Sequence, residues 1–499
     1  MLEKTIRPLS STPQARRTPS SLDLATEPPR EGEAKQAWIY RQIRARILDG
    51  ALAKGARLPS TRQLAQRWQV SRVTVDAAYD QLRSEGYLVS RAGSGTYVAA
   101  QVPDRFFEAG DAKRRPATPR TRPAWKTDMA PLAATEAHQA FMARVADPAL
   151  FPLDLWRRTL QASARRVTAA QLADDDPFGL LALREQIAGY LGVARGIACE
   201  AERIVIVSGI REGLDLCARL LLAPGDKVLL EDPGYLHAAP IFGHHGQQLI
   251  HVPIDAEGFS VAQARQHAGA RLAHLTPAHQ SPSGLTMPVS RRLELLSWAE
   301  AAKAWVVEDD YDSEFSYDSA PLPALKSLDA ADRVIHCGSF NKTLFGALRI
   351  GYMVLPRALV ADFRRACHIA GRSTGVIEQM ALARFLESGD FARHVRRARM
   401  VYAQRRDLVL GGLRAALEPA RLHVTGEHAG FHLVWWPPPD MALAPFLRAA
   451  AQRGLRFQAI SDFCRRKDLP PGLVIGYTAM DDAALRQHVD ELRRLIQKA

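Results

Sequence analysis

Cysteine is scarce in this chain of 499 residues: there are five, Cys199, Cys217, Cys337, Cys367 and Cys464. Their number is odd, they are widely dispersed, and no two form a CxxC pair. This argues against a disulfide framework or a zinc site and fits a reducing, cytoplasmic compartment. Long apolar runs are missing too. No segment approaches the ~18 consecutive apolar residues of a membrane-spanning helix, so no membrane partner is expected. The N-terminus, MLEKTIRPLSSTPQARRTPSS, lacks the apolar core of a secretory signal. No internal repeat at a period of roughly 20–50 residues is visible. His244, His245 and His251 do not follow a metal-binding spacing, and no metal is expected.

What is present is a globular composition, 47% apolar and 24% charged, long enough for two to four domains at roughly 100–200 residues each. Lys and Arg outnumber Asp and Glu by 66 to 53, a net charge of +13. The excess is uneven. Residues 1–136 hold 23 basic and 14 acidic residues, net +9, and residues 137–499 hold 43 and 39, net +4. A small polyanion-binding module beside a near-neutral body is implied.

The chain divides accordingly. Residues 1–34, rich in Ser, Thr, Pro and charge, read as a flexible tail. A compact pattern fills residues 35–100. Residues 101–136 combine Pro103, Pro116, Pro119, Pro123 and Pro131 with a basic series from Lys113 to Lys126. They read as an extended linker, whose cations either keep it solvated or touch DNA phosphates. From residue 137 to 499, apolar strand-like runs (RIVIVSG 203–209, KVLLEDP 227–233, AWVVEDD 304–310, RVIHCGS 333–339) alternate with amphipathic stretches. That alternation predicts an α/β domain around a mostly parallel, buried sheet.

Within the compact N-terminal stretch, Trp38, Ile39, Ile43 and Ile47 fall at helical spacing, with Gly50 as a stop. Ser60 caps a second helix over Thr61–Trp68, and Ser71 caps a third running to about Ser84. Tyr87–Ser90 and Thr96–Ala99 read as short strands around a Gly-rich turn. Three helices and a hairpin make a winged helix-turn-helix, an α+β module. Arg72 and Thr74 lie in the first turn of the third helix, where a recognition helix meets base edges. Arg62 and Arg91 are placed for phosphates. Ser71, Gly93 and Thr96 complete the candidate DNA-contact set. The run LPSTRQLAQRWQVSRVTVDAAYDQL…EGYLVSRAGSGTYV (58–98) resembles the DNA-binding domain of GntR-type regulators, which implies double-stranded operator DNA as a partner.

In the large domain, Lys342 lies among small residues in CGSFNKTLFGALRIGY (337–352), a setting that suits imine formation with an aldehyde cofactor. Asp309, at the end of AWVVEDDY, could hold a protonated pyridine nitrogen, and Tyr311 could bond a ring oxygen. Ser208, Gly209 and Ile210 open a helix whose N–H groups could cradle a phosphate, with Ser339 and Arg349 completing that site. Tyr235, in EDPGY, could stack on an aromatic ring.

This domain resembles the fold type I aminotransferases, which bind pyridoxal 5′-phosphate. The pairing with a GntR-type winged helix is similar to the MocR/GabR-type regulators. The likeness is carried by EDPGY (231–235), TPAHQSPSG (276–284), EDDYDSEFSYD (308–318), PLPALKSLD (321–329), FNKTLFGALRIGY (340–352) and ARFLESGDFARHVRRARMVYAQRRD (383–407). By resemblance, Lys342 is the Schiff-base lysine and Asp309 the partner of the pyridine nitrogen. Tyr311 sits by the ring oxygen, Tyr235 covers the ring, and Ser208–Ile210, Ser339 and Arg349 hold the phosphate. His279 and Gln280 line the site. A homodimer and a small effector, either the cofactor itself or an amine, are also implied.

Some positions depart from the pattern. Leu236–Ala239 and Val474–Tyr477 lack the arginines that commonly clamp a substrate carboxylate. Residues 174–177, Asp-Asp-Asp-Pro, lack a phosphate-site tyrosine. Asn341 stands where Ser is common before the lysine. Three functions stay open on the sequence: a regulator that senses a ligand through the cofactor, a working aminotransferase with an appended DNA-binding domain, and a DNA-binding protein with a scaffold domain.

Overall fold

The computed structural model describes residues 27–91, 93–100, 140–143, 145–173, 176–318, 322–371, 374–466 and 468–498. The linker 101–136 lies outside the described residues. The chain forms two compact units, within residues 1–123 and 124–499.

The first unit contains helices α1 (Lys35–Leu48), α2 (Thr61–Trp68) and α3 (Arg72–Ser84) and a hairpin of β1 (Leu88–Arg91) and β2 (Gly95–Val98). Local chemistry sets the boundaries. Ser60 Oγ accepts from the Gln63 N–H while the Gln63 side chain accepts from the Ser60 N–H, a complete capping box. Gln69, in the left-handed region at φ 51°, ends α2. Trp38, Ile39, Ile43 and Ile47 of α1 pack against Leu64, Val75, Tyr79 and Leu82 of the other helices and against Leu88 and Val98 of the hairpin. The first strand begins one residue later than the sequence suggests, because Tyr87 turns into this core at 4% exposure. Residues 27–34, at the end of the stretch read as a tail, are tied to α1. Trp38 Nε1 donates to the Glu27 carbonyl at 2.7 Å, and Arg41 pairs with Glu27 and Glu33 at 2.9 and 2.8 Å.

The second unit is built on an eight-stranded sheet. Its strands are β3 (Ile204–Val207), β4 (Lys227–Asp232), β5 (Gln248–Asp255), β6 (Gly258–Phe259), β7 (Ala270–Leu275), β8 (Trp305–Asp310), β9 (Val334–Ser339) and β10 (Gly351–Val354), in the order β3-β10-β9-β8-β7-β4-β5-β6. β4, β5, β7, β8 and β9 run parallel. β10 is antiparallel to both neighbours, and β6 to β5. Alternate residues of β3 enter different cores: Ile204 and Ile206 pack with Ile187 and Tyr352, Val205 and Val207 with Cys217 and Val307. Both faces are therefore covered, as a parallel sheet requires. Helices α4 (Leu181–Arg195), α5 (Ile210–Leu221), α6 (Ala238–His244), α7 (Val289–Ala302), α8 (Phe340–Thr343), α9 (Asp390–Ala416) and α10 (Asp482–Ile496) are among those of this unit. A second, antiparallel sheet follows near the C-terminus, of β11 (His423–Thr425), β12 (His432–Trp436), β13 (Gln458–Ala459) and β14 (Leu473–Gly476). Leu433, Trp435, Leu473 and Ile475 share a core with Leu485 and Val489 of α10. Among the described residues no helix is long and apolar enough to cross a membrane.

Candidate functional site

The DNA-contact candidates fall on α2, α3 and the wing. Arg72, in the first turn of α3, is exposed and stands 3.5 Å from Asp76, one turn on. Thr74 is turned back onto the cap: its N–H donates to Ser71 Oγ at 3.1 Å, and the two hydroxyls are 2.6 Å apart. Ser71 thus serves the helix end. Beside Arg72, α3 presents Val73, 77% exposed. No sequence motif singles out Val73, yet an apolar side chain at this place suits a thymine methyl group. Arg62 is exposed on α2. In the wing, Arg91 lies over the Tyr97 ring, 4.8 Å from its centroid. Thr96 pairs with Ser90. Gly93 and Gly95, at φ +70° and +118°, supply the turn that a side chain would strain.

In the large unit one register gathers the phosphate and lysine candidates. Gly351 of β10 pairs with Ser339 of β9 on one side and Val207 of β3 on the other. Ser208–Ile210, Ser339–Lys342 and Arg349 therefore come to one end of the sheet. Asn341 ties these segments together. Its Nδ2 donates to the Ser208 carbonyl at 3.0 Å, and its Oδ1 accepts from the Ile350 N–H at 3.0 Å. Gly209, at φ 145°, opens α5, and a Cβ there would reach 3.1 Å from Asn341 Nδ2. The Ser208 N–H, expected to face a phosphate, donates to Glu212 at 2.6 Å. The donors at the start of α5 thus begin at Gly209 and Ile210. Ser339 Oγ accepts from the Asn341 N–H at 3.2 Å. Lys342 is half-buried and Arg349 exposed.

Pleating sorts the carboxylates at the end of β8. Asp310 pairs with Arg195 at 2.7 Å, both buried. Glu308 pairs with His336 Nδ1 at 2.9 Å and accepts the N–H groups of Leu325 and Lys326. Burial alone would push Glu308 up, but His336 and Arg195 outweigh it and hold the carboxyl down at about 2. Asp309, between them, projects to the opposite face. It is 5% exposed, with His274 Nε2 3.7 Å from its Oδ2. Tyr311 Oη is 3.3 Å from His279 Nδ1, and that nitrogen is 2.9 Å from Asp312. Burial lowers the His279 pKa, but Asp312 more than compensates and raises it. Gln280 is a scaffold residue: its amide donates to the Pro233 and Ser281 carbonyls at 2.9 Å. Tyr235 follows β4, its ring centroid 6.1 Å from that of His274.

Asn341 and His274 gain their roles from this geometry: the sequence marks Asn341 only as a departure from Ser, and His274 not at all. At the positions of the missing carboxylate clamp, Val474–Gly476 form β14 and Tyr477 is fully buried, its phenol donating to the Gly430 carbonyl at 2.9 Å. Asp176, of the Asp-Asp-Asp-Pro stretch, pairs with Arg184 and Arg364.

Comparison with known proteins agrees with both halves. Residues 35–98 match the family of bacterial regulatory proteins, gntR family, and residues 156–492 match aminotransferase class I and II. The probable rhizopine catabolism regulatory protein MocR of Rhizobium meliloti is 35% identical over 456 residues, 91% of this chain and 92% of that protein. The pyridoxine biosynthesis transcriptional regulator PdxR of Corynebacterium glutamicum is 34% identical over 470 residues, 93% and 96% of the two chains. Among solved structures, the kynurenine aminotransferase of Pyrococcus horikoshii, in complex with PMP, superposes with a TM-score of 0.65 at 27% identity, covering 72% of this chain and 90% of that one. A GntR-type winged helix joined to a fold type I aminotransferase domain, with such relatives along almost its whole length, means that the chain belongs to the MocR/GabR-type transcriptional regulators.

Proposed function

We propose that this regulator reads operator DNA with its winged helix and holds pyridoxal 5′-phosphate (PLP) at Lys342, sensing either PLP or an amine. The observation that carries the cofactor reading is the β3–β10–β9 register. It brings the start of α5, Ser339 and Arg349 to the same sheet end as Lys342, and N–H groups, a hydroxyl and a guanidinium are the groups that suit an anion. A Cβ at Gly209 would crowd the Asn341 side chain that joins these segments. Asp309, a buried carboxylate beside His274, suits a protonated ring nitrogen.

When bound, PLP supplies an aldehyde that condenses with primary amines and a ring that withdraws electrons. The Lys342 amine would carry it covalently. Asp309 would keep a proton on the ring nitrogen, and Tyr311, set by His279, would donate to the ring oxygen. Tyr235 would cover the ring and exclude water. An amine effector would free Lys342 and so change the interactions made there, which shifts any equilibrium that those interactions bias. As a homodimer, acting in the cytoplasm, two winged helices would read two half-sites.

Adding PLP to the purified full chain should produce a visible absorption band that Lys342→Ala lacks. A wild type that takes up no PLP overturns the cofactor half of the reading. Operator footprinting with and without PLP tests the other half, and binding without sequence preference overturns that. The second reading, aminotransferase turnover, is favoured by the structural likeness to the kynurenine enzyme. It is opposed by Tyr477, whose phenol is engaged with a carbonyl where a cation is commonly found. Amino-group transfer from an amino acid to a 2-oxo acid is its test.

A further inference from the structure

A cavity of about 220 Å³ lies between the ends of β4 and β7, helix α6 and the loop 462–465. Of the cofactor-site candidates only Tyr235 lines it, together with Glu231, His251, His274, Ala239 and Arg465. Ser208–Ile210, Asp309, Ser339, Lys342 and Arg349 do not line it. Two of its lining residues carry buried polar atoms without a hydrogen-bond partner among the described residues, Glu231 Oε1 and His274 Nε2. Glu231 is 4% exposed and His274 1%.

The other oxygen of Glu231 is satisfied: Oε2 accepts from the Thr276 N–H at 3.1 Å and the Thr276 hydroxyl at 2.8 Å. The nearby Gln280 amide donates to the Pro233 and Ser281 carbonyls at 2.9 Å and pulls on the Glu231 carboxyl only more weakly than Thr276 does, leaving Oε1 without a hydrogen-bond partner among the described residues. Oε1 is therefore a buried acceptor short of a donor, an arrangement folded proteins rarely leave unfilled. The lining also includes the apolar side chains Leu236, Pro240 and Phe463 beside the polar groups. Burial pushes the Glu231 carboxyl up to about 7, so a cationic neighbour would draw it into its ionised form. Arg465, also on the lining, would repel a second positive charge on the same ligand.

We propose that this cavity is a second ligand site, for a small monoamine with an apolar body, its ammonium on Glu231 Oε1, and that its occupancy is felt at the cofactor site through Tyr235 and His274. The coupling follows from shared residues. Tyr235 is a wall of the cavity and the candidate cover of the cofactor ring. His274 lines the cavity and lies 3.7 Å from Asp309. The coupling rests on the PLP reading above, whereas the site itself does not.

Benzylamine is the probe. Calorimetric titration of full-length Lys342→Ala, which has no lysine for an amine to displace, should show saturable binding to one site. Adding Glu231→Gln should weaken it at least tenfold. Adding Ala239→Leu, which fills the cavity, should abolish it, with the circular dichroism of both variants unchanged. No saturable binding, or equal affinity in Glu231→Gln and a folded Ala239→Leu, overturns the site. For the coupling, affinity for 4′-deoxypyridoxine 5′-phosphate, which has no aldehyde for the probe to attack, should change at least threefold when benzylamine saturates the protein. That change should vanish with Glu231→Gln. Binding of the analogue that ignores benzylamine overturns the coupling. Failure of the analogue to bind at all counts against the PLP reading and leaves the benzylamine titration standing as the measure of the cavity.

Discussion

Glu231 and Glu308 are both buried carboxyls, yet their neighbours send them in opposite directions. Burial raises Glu231 and only Thr276 and weaker partners resist, so it rises to about 7 from an ordinary 4.5. For Glu308 the same burial is overcome by His336 and Arg195. A carboxyl raised on folding favours the protonated folded state, so its contribution to stability is present below about pH 4.5 and is lost as pH rises toward 7. Glu231→Gln, which keeps the acceptor for Thr276, should therefore be more stable than wild type above pH 7, by about 3 kcal/mol for a shift of that size. The difference should close below about pH 4.5. Urea denaturation at pH 5 and pH 8 checks this, and a gap that does not widen with pH contradicts it. Asn341 gives a second prediction. Its two hydrogen bonds, worth about 1 kcal/mol each, join the Ser208 and Ile350 segments. Asn341→Ala should weaken PLP affinity roughly tenfold in a fluorescence titration while the absorption band at saturation survives. Asn341 stands out in the sequence only as a departure from Ser. Its partner Ser208 lies 133 positions away, and nothing local signals such a pairing.

At the scale of elements, α3 and the wing take different parts in DNA binding under the proposed reading. Arg72 and Val73 face outward at the start of α3, while Arg62 and Arg91 lie outside it. Arg72→Ala and Val73→Ala should flatten the preference among operator variants, by about 1–3 kcal/mol for each base pair that is no longer read. Arg62→Ala and Arg91→Ala should weaken all sequences alike and lower the slope of log affinity against log salt by about one each. Ser71→Ala should act through the helix instead, costing about 1 kcal/mol of stability because the cap is removed. Gel-shift titrations across a salt series, with thermal melting of each variant, separate the three classes. The winged helix is legible in the sequence because its determinants are local: the Ser60–Gln63 box, the Ser71 cap and the wing glycines act within a few residues of themselves. Strands β3, β4, β8 and β9 are legible as apolar runs ending in polar residues. β10 and the antiparallel sheet β11–β14 are not, since Gly351–Val354 is a strand only by lying between β3 and β9, the former far away in the chain. That same non-local pairing gathers the phosphate candidates, so their residue types can be read from the sequence but the register that unites them cannot.

At the scale of the whole molecule, the charge asymmetry and the separate cores describe one division. The N-terminal unit has an apolar core of its own, from Trp38 to Val98, and the large unit is held by separate cores on both faces of its sheet and in its second sheet. A unit with its own core unfolds as its own cooperative step. Calorimetry of the full chain should therefore resolve two transitions. A ligand stabilises only the unit that binds it, by RT ln(1 + [L]/Kd), which is about 2.7 kcal/mol at a hundredfold excess over Kd. PLP should raise one transition and operator DNA the other, and the DNA shift should shrink steeply with salt because phosphate contacts dominate that affinity. With both ligands present, any further displacement of the DNA-stabilised transition by PLP is the coupling free energy between sensing and reading, and reciprocity requires DNA to displace the PLP-stabilised transition by the same free energy. A single transition raised equally by either ligand would mean that the two units unfold as one, and the division drawn from charge and core would fail.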